Sequence, residues 1–320
     1  MDLREHVKQG NRLYLGIILM YIVVNMGVQV IASAFHVRFT YLQLLLIAQI
    51  GYALPAILYV AKKKQPLRES IRLKKLNLLT VLLLVVFAFS VMPLMTLLNM
   101  LSLLISRNHI QSTVNGMLNQ TNFFLCLFAI GILPAILEEF VYRGAIYNQH
   151  RKGNVKKAIL CSGLFFGLLH MNINQFSYAF VMGIVLAMVV EATGSILGSM
   201  IVHATINGFS VTISKLQPYF EAKMQKMTGE TIDAAASISR ESILAMLPSY
   251  IRLAVIATLF AGFLLFLIMK YNDRVEEVRR SLQAVGEDGM EKRNVPFLDL
   301  SFVLAVSIAV GLMLAQEFWT

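Results

Sequence analysis

Two adjacent carboxylates and an arginine lie at the end of the apolar run 122–137, in the sequence LEEFVYRG. Each charged group placed in hydrocarbon costs roughly 2.5–3.5 kcal/mol, so such groups usually pair with one another or serve a site. Glu139 and Arg143 are four residues apart and share one side of a helix, with the acid first, which is the favourable order. Glu138 points about 100° away from them. The spacing predicts that Arg143 holds Glu139 and leaves Glu138 for chemistry.

Two of the six histidines, His170 and His203, lie deep in apolar runs. At 1.5 Å per helical residue, counting from the nearest polar loops gives depths of roughly 20 Å for His170, 13 Å for His203 and 15 Å for Glu138. Asn207 follows His203 by four residues and shares its helix face. These four side chains are therefore predicted at a similar depth on three helices. Buried pairs that only tie helices together are the alternative interpretation.

The chemistry open to these residue types is the activation of water. An apolar pocket makes a carboxylate such as Glu138 a better proton acceptor near neutral pH, and an imidazole beside it can orient the water. A histidine and an asparagine on another helix can donate hydrogen bonds to an oxyanion. Ser199 is the nearest alternative nucleophile. A metal held by Glu138, His170 and His203 is a further alternative, although no HExxH motif is present.

Composition places these residues in a membrane. Of the 320 residues, 57% are hydrophobic and only 14% are charged, and the mean hydropathy is +0.68. A soluble domain carries about 25% charged residues. The net charge of +10 comes from short basic loops between apolar runs, which is typical of membrane topology rather than nucleic-acid binding. Cys126 and Cys161 both lie in apolar runs, which argues against a disulfide or a cysteine metal site.

The apolar runs predict an all-α polytopic transmembrane bundle of about eight or nine spans, because a spanning chain must satisfy its backbone hydrogen bonds internally. The Ala32-Ser33-Ala34 sequence resembles a cleavage site, but the first run is long for a signal core, and we expect it to remain as a span. The predicted spans are 13–35, 40–61, 76–105, a run from about 122 through the Glu138-Glu139 pair, 156–173, 175–192, 194–214, 249–269 and 297–318.

The basic loops predict the topology. Loop 62–75 has seven Lys and Arg and one Glu, and 144–157 has four basic residues and no acid, so both are expected in the cytoplasm. The N-terminus of this multi-pass cell-membrane protein is then cytoplasmic. The segment 215–248 is expected to face outside, and its part 231–247, which has a helical pattern, to cover the outer face. The segment 270–295 is expected to be a cytoplasmic excursion. We divide the chain into N-terminal spans 1–121, a catalytic core 122–214 and a C-terminal part 215–320.

Three motifs occur in order on consecutive spans, EExxxR at 138–143, FxxxH at 166–170 and HxxxN at 203–207. Together they resemble the motifs of the CPBP family, which comprises CAAX proteases and bacteriocin-processing proteins and is also called Abi. The resemblance covers residues 122–214.

The resemblance implies an intramembrane endopeptidase of the glutamate type that cleaves a membrane-associated peptide or protein without a cofactor or metal. The catalytic residues would be Glu138 and His170, which activate water, and His203 and Asn207, which form the oxyanion site. The supporting residues would be Glu139 and Arg143. The alternatives are a zinc-dependent protease, a non-catalytic immunity or sensor-partner protein of the same fold, and a proton-relay transporter.

Overall fold

The computed structural model describes residues 2–106, 109–228, 239–283 and 295–319. The first half contains α1 (Leu3–Phe35), α2 (Tyr41–Ala61), α3 (Leu67–Ser70), α4 (Leu78–Leu103), α5 (His109–Gln120), α6 (Phe123–Cys126), a π-helical stretch (Leu127–Ile132), α7 (Leu133–Glu139) and a second π-helical stretch (Phe140–Tyr147). The second half contains α8 (Asn148–Gly153), α9 (Val155–Leu169), α10 (Ile173–Thr193), α11 (Ile196–Thr228), α12 (Arg240–Tyr271), α13 (Val275–Gln283) and α14 (Leu300–Trp319).

The predicted all-α polytopic bundle is confirmed. Within the described ranges there is no strand, and eight helices are long and apolar enough to cross a membrane. The fifth predicted span, 156–173, is the exception, because α9 has only 15 residues. A helix of about 20 residues is needed to cross the hydrocarbon core, so α9 reaches into the bundle without meeting that length.

Several helices are longer than the apolar runs that predicted them. The seventh predicted span, 194–214, continues as α11 to Thr228, and the eighth begins at Arg240 rather than 249. The predicted outer segment 215–248 therefore consists largely of helix ends. Its helical pattern over 231–247 falls partly on 229–238, which lies outside the described residues, and the remainder is the start of α12.

A hairpin of α9 and α10 forms the closest helix packing near the centre of the bundle. A Cβ atom added at Gly183 on α10 would lie 2.7 Å from the Cα of Gly163 on α9. Only a residue without a side chain lets two helix backbones approach so closely. The tight turn between these helices places His170, the residue after α9, well inside the bundle.

The segment from Phe123 to Gly153 is helical throughout, and two stretches within it are π-helical rather than α-helical. We call this segment the rod. A π-helix leaves backbone carbonyls out of the usual α-helical pattern, and such stretches are common at functional sites. Two carbonyls of the first stretch accept hydrogen bonds from neighbouring helices. Gln49 Nε2 on α2 donates to the Ala129 carbonyl at 3.1 Å, and Asn207 Nδ2 on α11 donates to the Ile130 carbonyl at 3.3 Å.

The basic loops meet at one end of the bundle around Glu191, near the end of α10. Arg72 and Arg151 each lie 2.8 Å from the Glu191 carboxylate, and Arg274 lies 4.0 Å from it. These arginines come from the predicted loops 62–75 and 144–157 and from the segment 270–295. The N-terminal end of α1 lies here too, because His6 contacts Gln149 at 2.9 Å.

The opposite end contains the polar segment that follows α4. Lys215 Nζ, on α11, donates to the carbonyls of Leu118 and Thr121. Lys215 lies about 19 residues beyond Ile196, whose amide bonds to the Arg72 carbonyl, so the two ends are about 28 Å apart. That distance is close to the thickness of the hydrocarbon core. The loops predicted to share a side thus lie together in the fold.

This arrangement predicts the outcome of cysteine labelling from each side of the membrane. Single cysteines at exposed positions Arg68 and Glu276 should be labelled from the cytoplasmic side, and one at exposed Lys223 from the outside. A background without the buried Cys126 and Cys161 provides the control. Labelling of position 68 only from outside would overturn the topology.

Candidate active site

A fully buried ion pair lies at the centre of the site. Arg143 Nη1 donates to Glu139 Oε1 at 2.8 Å, and neither side chain has any solvent exposure. Glu139 lies at the end of α7 and Arg143 in the second π-helical stretch, so the predicted pairing across one turn is present. Arg143 Nη2 also donates to the Gly183 carbonyl at 3.1 Å. The pair therefore joins the rod 123–153 to α10.

The same Glu139 oxygen lies 2.9 Å from Nδ1 of His203 on α11. Glu139 therefore serves as the acceptor for two side chains on different elements. Because Nδ1 is engaged in this way, Nε2 is the ring nitrogen of His203 that remains for the rest of the site. That nitrogen faces Glu138, with 3.9 Å between His203 Nε2 and Glu138 Oε2.

Glu138 is the less enclosed of the two acids. Its side chain retains 13% of its exposure, whereas Glu139 retains none. The Arg143 guanidinium bonds to Glu139 and not to Glu138. The only hydrogen bond that Glu138 accepts from the described side chains comes from the hydroxyl of Tyr52, at 3.4 Å. Glu138 is thus a carboxylate with free acceptor capacity in a largely apolar setting.

His170 is placed by the end of α9. Its Nδ1 lies 2.9 Å from the Phe166 carbonyl one turn earlier, so Nδ1 carries the proton in the neutral ring. This tautomer leaves Nε2 as a proton acceptor. The imidazole interacts electrostatically with Glu138 and with His203. The second predicted motif therefore places its histidine close enough to Glu138 for an electrostatic interaction.

The ring of Phe166 packs among the charged and polar groups. The guanidinium carbon of Arg143 lies 4.4 Å from the ring centroid, a cation–π contact. The rings of His170 and His203 lie edge-on at 5.3 and 5.8 Å between centroids. Phe166 thus fixes the relative positions of the two histidines and covers the buried cation.

Asn207 lies one turn beyond His203, as the sequence predicts, but part of its amide is already engaged by the Ile130 carbonyl. One amide hydrogen satisfies that carbonyl and the second is available to another acceptor. The structure therefore gives Asn207 a role in joining α11 to the π-helical stretch Leu127–Ile132. Its predicted role as an oxyanion donor uses the remaining N–H.

The geometry gives less support to a Ser199 nucleophile or a bound metal ion than to water activation by Glu138. Ser199 is fully buried, and its hydroxyl donates to the Ile196 carbonyl at 3.0 Å and interacts with Glu139 of the buried ion pair. In the described ranges, no group of three His, Cys, Asp or Glu side chains is arranged to hold a metal ion. The 3.9 Å between Glu138 Oε2 and His203 Nε2 is shorter than the sum of two ligand-to-zinc bonds, about 4.0–4.3 Å, so this pair alone could bind one ion, and a chelation experiment is the test.

A comparison with known protein families finds a match over the segment that contains the three motifs. Residues 120–209 match the family model of the Rce1-like type II CAAX prenyl endopeptidases. The matched segment contains all six residues singled out from the three motifs. This match supports the predicted resemblance to the CAAX protease family. The match supports a CAAX-type intramembrane endopeptidase in a multi-pass membrane protein.

The CAAX match ends within α11 and does not extend to the flanking helices. No curated protein and no solved structure matches the chain.

Sequence reasoning missed two parts of the site. Tyr52 lies on α2, far from the motifs in sequence, and only a tyrosine and a glutamine one turn apart in an apolar run mark this helix face. Tyr142 is fully buried, and its hydroxyl has no hydrogen-bond partner among the described residues. Its ring packs edge-on against Phe166 at 5.6 Å.

The buried pair leads to a stability prediction. Arg143→Met should destabilise the protein strongly, because loss of one partner of a buried ion pair costs about 3–5 kcal/mol. The double variant Glu139→Gln/Arg143→Met should recover part of that loss, since no unpaired charge is left buried. Thermal melting in detergent measures both. Arg12→Met, which breaks an exposed pair with Glu5, is the matched control and should change little. An Arg143→Met protein as stable as the wild type would contradict this account.

Proposed function

We propose that this protein is an intramembrane endopeptidase that hydrolyses peptide bonds of a membrane-associated peptide or protein with an activated water. The observation that carries the proposal is that the two adjacent acids, Glu138 and Glu139, have different partners. Glu139 is buried and held by Arg143 and His203, whereas Glu138 keeps free acceptor capacity beside two imidazoles. This division matches the requirement for a general base within reach of a water.

In the proposed mechanism, Glu138 takes a proton from the water while Nε2 of His170 orients it. The hydroxide attacks the scissile carbonyl and forms a tetrahedral oxyanion. The C–N bond then breaks, and Glu138 returns its proton to the leaving amine. The acid thus acts first as base and then as acid, and no covalent enzyme intermediate forms.

His203 and Asn207 are proposed to stabilise the oxyanion. The Nδ1 contact with Glu139 supports this role, because it fixes the ring with Nε2 turned toward Glu138. In the proposed role, Nε2 carries a proton and donates a hydrogen bond to the oxyanion. Glu139 and Arg143 are supporting residues, because Glu139 fixes the ring of His203 and Arg143 fixes the rod against α10.

The alternative functions do not require this arrangement of a partly exposed carboxylate and two histidines. An immunity or sensor-partner protein needs a binding surface but no partly open carboxylate between two histidines. A proton-relay transporter would use the same side chains, but inverted repeats typical of many transporters are not visible in the sequence. We further propose a cytoplasmic N-terminus in the cell membrane, a catalytic core at 122–214 and lipid and a membrane-bound substrate as the partners.

The mechanism predicts the effect of replacing either of the two residues that activate the water, Glu138 and His170. Glu138→Gln and His170→Ala should each lower kcat by roughly 10²–10⁴-fold, the usual contribution of positioned acid–base groups. Both proteins should remain folded, since neither side chain belongs to the buried Glu139–Arg143 pair. Cleavage of a peptide substrate by purified protein in vesicles is the assay. Glu5→Gln, at a partly exposed position, and His36→Asn, at an exposed one, are the controls. Near-normal cleavage by either site variant would refute the mechanism.

Asn207→Ala should reduce turnover more than substrate affinity. Removal of one oxyanion donor typically costs about 10²–10³-fold in kcat. Asn207→Asp should be at least as impaired, because an added carboxylate repels the oxyanion. Since Asn207 also bonds the Ile130 carbonyl, melting temperature and kcat are measured together. A destabilised but fully active Asn207→Ala would assign Asn207 to helix packing alone.

Chelators separate the proposed chemistry from its zinc-dependent alternative. Activity should survive incubation with a chelator, because the proposed water activation uses Glu138 and His170 alone. Inactivation by chelator that is reversed by zinc, and not by magnesium, would favour the metal mechanism instead.

A further inference from the structure

The carboxylate of Glu138 is contacted by a residue that lies outside residues 120–209, the segment matched by the family model. Tyr52 lies on α2, and its hydroxyl donates to Glu138 Oε1 at 3.4 Å. The tyrosine side chain is buried, with 6% of its surface exposed. The other Glu138 oxygen, Oε2, is the one that faces His203. The two oxygens of the proposed base therefore have different neighbours.

The position of Tyr52 is set by the buried face of α2. Gln49, Tyr52, Ala53, Ala56 and Val60 are buried and recur at helical spacing, so this stripe faces the protein core. Gln49, one turn before Tyr52, donates to the Ala129 carbonyl on the rod that also carries Glu138. Two hydrogen bonds thus fix α2 against the rod at the level of the site.

On the opposite face, Gly51 lets α2 pack closely against α1. A Cβ atom at Gly51 would lie 2.6 Å from a methyl carbon of Val24. α2 is therefore held from both sides, and its tyrosine hydroxyl cannot move freely away from Glu138. A rigidly placed donor on one carboxylate oxygen restricts rotation of the carboxylate about its last torsion, which is otherwise broad.

We propose that Tyr52 is a positioning residue of the active site, which holds Glu138 Oε1 and leaves Oε2 to take the proton of the attacking water. This inference builds on the proposed function and extends the active site to a helix outside residues 120–209. It gives the N-terminal helices a direct part in catalysis. A purely structural tyrosine would instead contribute only to the packing of α2.

The test compares Tyr52→Phe with Tyr59→Phe in the full-length protein in vesicles. Tyr59 lies two turns further along α2, and its hydroxyl donates to Gln9 rather than to the site. Tyr52→Phe should lower kcat by about tenfold, since a hydrogen bond to a charged group is lost. Its KM should change by less than about twofold, because no substrate contact is removed. Tyr59→Phe should keep the wild-type kcat. A normal kcat for Tyr52→Phe would overturn the proposal.

A second pair of variants isolates the donor even where the phenylalanine variant folds poorly. 4-Aminophenylalanine and 4-methylphenylalanine at position 52 fill nearly the same space, but only the amino group donates a hydrogen bond. The amino variant should have a kcat about tenfold higher than the methyl variant, at similar melting temperatures. Equal kcat values would show that position 52 acts through packing alone.

The outcome is distinguishable from failure of the proposed function itself. If Glu138→Gln abolishes cleavage while all Tyr52 variants turn over normally, the mechanism stands and only the role of Tyr52 falls. If Glu138→Gln cleaves normally, the proposed mechanism fails, and the Tyr52 proposal falls with it.

Discussion

The candidate site depends on the carboxylate of Glu139, which has no contact with solvent and accepts hydrogen bonds from both Arg143 and His203. An unpaired charge at this depth would cost several kcal/mol, so the three groups must be placed together for the fold to form. They lie on the rod 123–153 and on α11, and Arg143 also reaches the Gly183 carbonyl on α10. Satisfying one buried acid therefore orients three helices and turns the Nε2 of His203 toward Glu138.

The side chains of the site were largely predictable from sequence because polar groups are costly in an apolar run and therefore conspicuous there. The spacing of Glu139 and Arg143 predicted their ion pair, and the depths of His170 and His203 predicted that they would approach Glu138. The contribution of Tyr52 was not predictable. A tyrosine is common in membrane helices, and its contact with Glu138 depends on how α2 packs against a segment far away in sequence.

The backbone was predictable in type but not in detail. Apolar length predicted the helices, yet α9 is shorter than a full span, and α11 and α12 extend beyond their apolar runs with polar and charged turns. The first π-helical stretch, Leu127–Ile132, has no sequence signal in hydropathy, and two of its carbonyls accept hydrogen bonds from Gln49 and Asn207 on other helices. Tertiary contacts therefore decide the features that position the proposed catalytic groups.

An experimental structure of the protein in a lipid nanodisc, at a resolution that shows ordered water, tests the central claim most directly. The account predicts a water within about 2.6–3.2 Å of both a Glu138 oxygen and Nε2 of His170, with Glu139 still bonded to Arg143 and to Nδ1 of His203. A Glu139 turned away from His203, or a Glu138 that bonds Arg143 and holds no water, would contradict it.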